Sequence, residues 1–379
     1  MMALFVELHL IQNFAPSNLN RDDTGAPKDA IFGGQRRARV SSQCFKRAMR
    51  LYCRDQQLIP PEYRALRTKR LQALLLERLA DRDQEEAIGK IEVALAAAGL
   101  KLKDGGKTEY LLFLGEREIA GFAALIEDHW EVLVLPATGE KKSKKESKAA
   151  IPAELAKQAK ALLDGGKAVD VALFGRMLAD LPQVNQDAAC QVAHAISTHR
   201  VERDFDYFTA VDDVSGPDET GAGMIGQIEF NSATFYRYAL LDVSKLLKNL
   251  QGDKALTASA IEALIQSMVR AVPSGKQNSF AAHNLPEFIG VSLRQSPLNL
   301  ANAFERPIQP RHDKSLTEQS VAALSEYACK LAPVYGDSGD RWAHIDLTGG
   351  WALAHSQAHR SVSDLATWVR DTVEAQWGE

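Results

Sequence analysis

ALFVELHLIQNFAPSNLNRDDTGAPKDAIFGGQRRARVSSQCFKRAMR, residues 3–50, sets the order of elements from which the rest of the chain is read. Residues 3–14 alternate in polarity. Leu4, Val6, Leu8 and Leu10 fall on one side and Glu7, His9 and Ile11 on the other, which predicts a half-buried strand. The stretch from Pro16 to Gly34 reads as a polar loop broken by Gly25, Pro27, Gly33 and Gly34. Ser41 or Ser42 then caps a helix. Phe45, Ala48, Met49 and Tyr52 recur at three- and four-residue spacing and predict its buried face.

Every charge from Arg36 to Arg54 is positive, although the 379-residue chain carries a formal net charge of -4. That balance argues against a uniformly basic nucleic-acid binder but leaves room for a local basic stripe. The length suits one large domain with insertions, or two domains. No apolar run is long enough to span a bilayer. The first ten residues lack a basic n-region, so they do not read as a signal peptide. Cys44, Cys53, Cys190 and Cys329 are scattered, without a CxxC pair, so neither a zinc site nor a disulfide framework is expected. The expected compartment is the cytoplasm.

Residues 62–100, 116–130 and 152–163 predict helices, and 56–165 as a whole reads as a helical insertion. VDVALFGRML (169–178) and QVAHAISTHRV (191–201) read as strands. Residues 191–241 predict a long hairpin with an irregular tip, rich in acids between Glu202 and Glu219. A helix over 256–272, a strand over 287–295 and a capped C-terminal helix complete the pattern. This order predicts an α+β domain, an antiparallel sheet with helices on one face. RNA-recognition-motif-like folds share the order, but the aromatic signature of the usual such motif is absent.

On the first helix, Lys46, Arg50 and Arg54 lie at i, i+4 and i+8 and stack on one face. Like charges so placed repel, and an anionic partner more than offsets that. The free amides at the helix start and the hydroxyls of Ser41 and Ser42 add anion-binding donors. Gly33-Gly34 lets the backbone pass close to a neighbour, and Arg36, Arg37 and Arg39 extend the positive run. Such a design suits a row of phosphates on a single strand. The plainer reading is a solvated basic face.

Taken together, the words LNRDD, KDAIFGG, RR-R-SSQ and KRAMR, then DVALFGRM (170–177), AHAISTH (193–199), DYFTAVDD (206–213), FYRYA (235–239) and PLNLANAFE (297–305), resemble the backbone subunit of the type I-E CRISPR Cascade complex, the CasC family. The resemblance covers nearly the whole chain and is weakest over 56–165. It implies a hand-like subunit with a modified RRM-like (ferredoxin-like) palm, a helical fingers insertion and a β-hairpin thumb. On that reading the palm is 1–55, 166–200 and 225–379, the fingers are 56–165 and the thumb tip is 201–224. The implied partners are CRISPR guide RNA, target DNA, further copies head to tail, and the subunits CasA, CasB, CasD and CasE. No membrane, metal, cofactor or catalytic activity is implied. Carried over by motif, Arg21 holds a guide phosphate, and Ser41, Gln43, Lys46 and Arg50 grip the neighbouring backbone. Met177 wedges against bases, and Phe208 and Thr209 sit on the thumb at a kinked nucleotide. Backbone contacts of this kind carry affinity without sequence preference, and apolar tips stack on any base. Tyr207 stands where relatives carry tryptophan, and the aromatic is retained.

Several readings stay open at this level. Lys276, in PSGKQNS, is presented to phosphate by a glycine-bearing turn, or belongs to an ordinary helix-ending turn. The lysine cluster Lys141, Lys142, Lys144, Lys145 and Lys148 either captures duplex DNA or aids solubility. The rival function is a metal-independent endoribonuclease using Asp22, Asp23 or His9 beside the RNA track. A plain structural protein would leave the basic run unexplained. His355 and His359 share a helical spacing but lack the zincin glutamate, since residue 356 is Ser. The acidic hairpin is a solvated loop or meets the basic palm of the next copy. In the second case, reversing the charges of Asp212 and Asp213 weakens assembly on RNA, as sedimentation of the ribonucleoprotein would show; unchanged assembly removes that contact.

Overall fold

Strand β1 (Phe5–Ser17) lies between two antiparallel partners. On one side runs the long strand Met224–Asp242, with Phe5 opposite Asp242 and Phe14 opposite Ala233. On the other is Phe288–Arg294, with Ile11 opposite Phe288. The computed structural model describes residues 4–103, 105–133, 152–178, 181–210, 213, 224–336 and 339–377. Across the main sheet the order is Ser356–Ala358, Arg341–Asp346, Phe288–Arg294, β1, Met224–Asp242, Ala195–Ser197, β3 (Gln35–Val40) and β2 (Asp29–Phe32). Every pair in this order is antiparallel except the first, which is parallel. The chain is thus α+β with a large, mostly antiparallel sheet.

The expectation of a half-buried β1, with helices on one face of the sheet, is corrected: both faces are covered. Val6, Leu8 and Leu10 are fully buried, and so are Glu7, His9 and Ile11. On the even-numbered face, Arg237 joins the sheet to two helices. Its guanidinium lies 4.0 Å from the Phe45 ring centroid on α1 (Ser42–Asp55) and donates to the Met268 carbonyl at 2.6 Å on helix Lys254–Arg270. It also donates to Gln12. Burial lowers its pKa to about 9, so it stays charged at neutral pH. On the odd-numbered face, Ile11, Tyr236 and Phe288 pack with Val321 and Leu324 of helix Leu316–Tyr335.

Polar residues of β1 look solvent-facing by alternation alone, yet each finds a partner inside. Glu7 accepts from the Tyr238 hydroxyl at 2.6 Å, the Ser292 hydroxyl at 2.8 Å and the Leu298 amide at 2.7 Å. His9 Nδ1 lies 2.9 Å from the Tyr236 hydroxyl, and its ring stacks on Trp342 with centroids 5.4 Å apart.

The described chain divides into two compact units: Met1–Asp55, Gln191–Val243 and Ile261–Glu379 form the first, Gln56–Cys190 and Ser244–Ala260 the second. Within the second, helices Leu71–Arg78, Gln84–Ala98 and Glu116–Asp128 bury Leu71, Leu75, Ile91, Leu95, Phe122 and Ile126 in one core. Asp83 caps the longest of the three by accepting from the Glu86 amide, and Gly99, at φ +90°, ends it. The strand expected over 169–178 is instead the short helix Val169–Phe174 followed by an extended turn at Gly175. A short apolar run carries no period that separates a buried strand from a buried helix.

Glu7 generates a test of the sheet. Burial pushes its carboxyl up, but the pairing with His9 and the hydrogen bonds from Tyr238 and Leu298 outweigh that and hold it below 4.5. A depressed carboxylate stabilises the fold above its unfolded pKa and loses that contribution as pH falls through the folded value. Glu7→Gln, which turns an acceptor into a donor facing other donors, is expected to cost about 3 kcal/mol at neutral pH by urea unfolding. The gap to wild type should narrow below pH about 4.5; a pH-independent gap would show that the charge contributes nothing.

Candidate nucleic-acid interface

The hairpin β2–β3 turns on two residues, Gly33 and Gly34, at φ +57° and +72°, with Phe32 opposite Gln35. The loop expected over 16–34 thus contains a strand and a hairpin turn, and Gly-Gly between short apolar runs is a two-residue hairpin signal. The close neighbour expected at Gly33 is the chain itself: a Cβ there would stand 1.8 Å from the Glu305 carbonyl oxygen.

Surroundings, not strand alternation, sort the basic run along β3: Arg37 and Arg39 share one face, and Arg36, Ala38 and Val40 the other. Arg37 points inward and is fully buried, donating to the carbonyls of Ser197 at 2.9 Å and Phe304 at 2.8 Å. Arg36 pairs with Asp29 on β2. Arg39 donates to the Asp29 carbonyl at 3.3 Å and lies 3.4 Å from His194 Nδ1. The positive track expected from Arg36 onward therefore loses Arg37 to the core and has Arg36 neutralised.

The loop Asn18–Arg21 is the hub of the candidate site. Asn20 Oδ1 accepts from the Ser41 amide at 2.8 Å, and Cys44 Sγ donates to the Leu19 carbonyl at 3.7 Å. From another direction Gly275 presses on the same loop, where a Cβ would stand 2.3 Å from the Leu19 carbonyl oxygen. Exposed Arg21, buried Ser41, exposed Gln43 and half-buried Lys276 are thereby brought into one neighbourhood. Lys276 itself adopts φ +52° just before the short helix Gln277–Phe280.

Ser41 caps α1, its hydroxyl accepting from the Cys44 amide at 3.3 Å. Lys46 and Arg50 follow down the helix, both half-buried, while Phe45 and Met49 face the core as expected. Arg54 is exposed and paired with Asp55 at 3.0 Å, a contact worth little in solvent. Lys28, which sequence reading passed over, lies beside this cluster: its amide bonds to the Asn20 carbonyl at 2.9 Å, and its charge acts on Cys44 and His194. Its only sequence signal is its place in the word KDAIFGG.

Asp204–Ala210 pairs with the outer part of the long strand to form an exposed two-stranded ribbon. Phe205, Tyr207 and Ile225 are each at least 60% exposed. Thr209 shares their face, whereas Phe208 is half-buried on the other, its ring over Gly226, where a Cβ would stand 2.2 Å away. At the ribbon's base Arg203 bridges Asp29 at 2.7 Å and Glu229 at 2.9 Å. Asn18 Nδ2 donates to the Glu229 carbonyl at 2.8 Å, which ties the ribbon to the hub loop.

In the second unit, Met177 is 81% exposed beside an apolar cavity of about 190 Å³ lined by Tyr110, Leu111 and Leu178. The preceding residue does the opposite. Arg176 is buried and pairs with Glu118 at 2.7 Å, while its guanidinium also donates to the carbonyls of Leu163 and Val184. The cluster Lys141, Lys142, Lys144 and Lys145, and the acidic tip at Asp212, lie outside the described residues.

Two of the three groups named for cleavage, Asp22 and His9, are otherwise engaged, while Asp23 is exposed. Asp22 Oδ1 accepts from the Thr24 hydroxyl at 2.7 Å and from the amides of Thr24 and Ala26, which holds its carboxyl below the usual range. His9 is buried in the sheet. His355, at φ +63°, precedes the short strand Ser356–Ala358, so it and His359 share no helix. Among the described residues no group of three or more His, Cys, Asp or Glu is placed to hold a metal ion.

A two-sided sheet, a cationic helix entered through a hub loop, and an exposed aromatic ribbon characterise this α+β chain. The chain belongs to the CT1975-like protein family, whose model matches residues 6–368. It is similar to a chain of a solved "CRISPR RNA-guided surveillance complex, pre-nicking", at 30% identity and a TM-score of 0.83, over 97% of this chain and 99% of that one. A chain of a second "CRISPR RNA-guided surveillance complex" is 26% identical, with a TM-score of 0.74 over the same shares. No curated protein sequence matches the chain.

Arg176 yields a test of how Met177 is presented. Arg176→Met leaves Glu118 buried without its partner and is expected to cost about 3–5 kcal/mol. Thermal unfolding and protease susceptibility of residues 153–178 would read this; wild-type behaviour would show that the pair does not hold the segment.

Proposed function

We propose that this chain is the backbone subunit of a CRISPR RNA-guided surveillance complex, of type I-E, and that it polymerises along the guide RNA. The observation that carries the surveillance-complex reading is whole-chain similarity, 30% identity at a TM-score of 0.83, to a chain of a CRISPR RNA-guided surveillance complex; the type I-E assignment rests on the resemblance of the sequence words alone. The convergence of Arg21, Ser41, Gln43 and Lys276 on one loop supports it, with Lys46 and Arg50 continuing down α1. In this reading the main sheet is a modified RRM-type palm, the helical part of the second unit supplies the fingers, and the ribbon is the thumb. The guide's phosphates meet the hub loop and α1, a geometry that reads charge spacing and ignores base identity. Phe208 and Thr209, on opposite faces of the ribbon, meet the displaced nucleotide, and Met177 wedges against bases.

The guide so held pairs with target DNA, and base pairing supplies all the sequence specificity. CasA, CasB, CasD and CasE complete the assembly in the cytoplasm. No catalytic role is assigned: Asp22 is committed to its loop and His9 to the core. If Lys46 and Arg50 each neutralise one phosphate, replacing both with Ala flattens the logarithmic salt dependence of single-strand binding by about 1.4. An unchanged slope would remove α1 from the RNA path.

A further inference from the structure

His194 stands at the entrance of α1, where nothing above assigns it a role. Its Nδ1 accepts the Ser42 amide at 3.1 Å, and the Arg39 guanidinium lies 3.4 Å from the same nitrogen. Two donors aimed at one atom require that atom to carry no proton, so the imidazole is the neutral Nε2–H tautomer. Partial burial, then the positive charges of Arg39 on β3 and Lys28 just before β2, hold its pKa below 6.5. Among the described residues no carboxylate offsets them. The imidazole thus does what an anion's oxygen would do: it accepts from the first amide of α1 and from Arg39.

We propose that His194 occupies a phosphate position in the RNA-free chain, and that binding of a single-stranded RNA phosphate there displaces it and takes up one proton. The inference rests on the RNA-binding reading above and adds a regulation to it. The arriving oxygen accepts from the Ser42 amide and from Arg39. The freed Nδ1 takes its proton from solvent, and the imidazolium adds a charge-assisted donor beside the phosphate. RNA binding is therefore linked to proton uptake, and affinity rises as pH falls between the RNA-bound and RNA-free pKa values of His194.

The experiment is fluorescence-anisotropy titration of a short uridine oligoribonucleotide with the full chain at constant ionic strength. Wild type, His194→Gln and His194→Ala are compared between about pH 6 and about pH 8. Wild type is expected to gain up to about tenfold in affinity per pH unit inside the window, from one linked proton. His194→Gln keeps an acceptor but cannot titrate, and loses that gain. His194→Ala binds more tightly than wild type near pH 8, where the competing acceptor is gone, and less tightly near pH 6, where the imidazolium is missing. Equal pH profiles for all three proteins overturn the inference while leaving RNA binding intact. Failure of wild type to bind at any pH overturns the RNA-binding reading itself. Both variants are checked against wild type for the same unfolding midpoint, which is expected because His194 is exposed.

Discussion

A carboxylate shut away from water must have its charge answered by donors, and Glu7 meets that requirement with groups from three separate parts of the chain. Tyr238 comes from the long strand, Ser292 from the strand on the other side, and Leu298 from the loop beyond it. The central strand cannot be laid down correctly unless all three arrive in register. Arg237 imposes the same condition on the opposite face, where Gln12, Phe45 and the Met268 carbonyl surround a guanidinium with no access to solvent. Buried charge in this sheet acts less as a source of stability than as a demand for one arrangement. α1 is seated on the sheet by that demand, and Lys46 and Arg50 of the candidate interface flank its buried face.

The same rule explains how the basic run divides its work. Between Arg36 and Arg54, charge sign is uniform but surroundings are not. One arginine is consumed by carbonyls inside, one by Asp29, Arg39 stays on β3 beside His194, and the remainder are distributed along α1. A count of positive residues overstates the field that a ligand meets, because Arg37 is enclosed by carbonyls and Arg36 is paired with Asp29. Lys28 and Lys276 partly restore it, from segments remote in sequence.

Much of this was legible in the sequence where a local rule suffices. The α1 face of Phe45 and Met49, the Ser41 cap and the pairing of Asp204–Ala210 with the long strand follow from spacing and capping chemistry. What failed, failed for want of tertiary information. Glu7 and His9 read as solvent-facing because alternation cannot reveal that a helix covers the second face. VDVALF read as a strand because a six-residue apolar run has no distinguishing period. The convergence of Gly275 on Leu19, and of His194 on Ser42, joins residues more than a hundred and fifty positions apart, and no single-sequence pattern encodes that distance. Gly33-Gly34 is the one miss that local reasoning could have caught.

The strand Met224–Asp242 runs without interruption from the centre of the sheet to the outer ribbon. It behaves as a cantilever: its root is gripped by β1 at Phe235 and Tyr238, and its free end carries Ile225 and Met224. Arg203, clasping Asp29 and Glu229 at the fulcrum, resists rotation there. The outer ribbon and the residue that touches α1, Arg237, thus stand on a single unbroken strand, with no loop between them to absorb a change of direction.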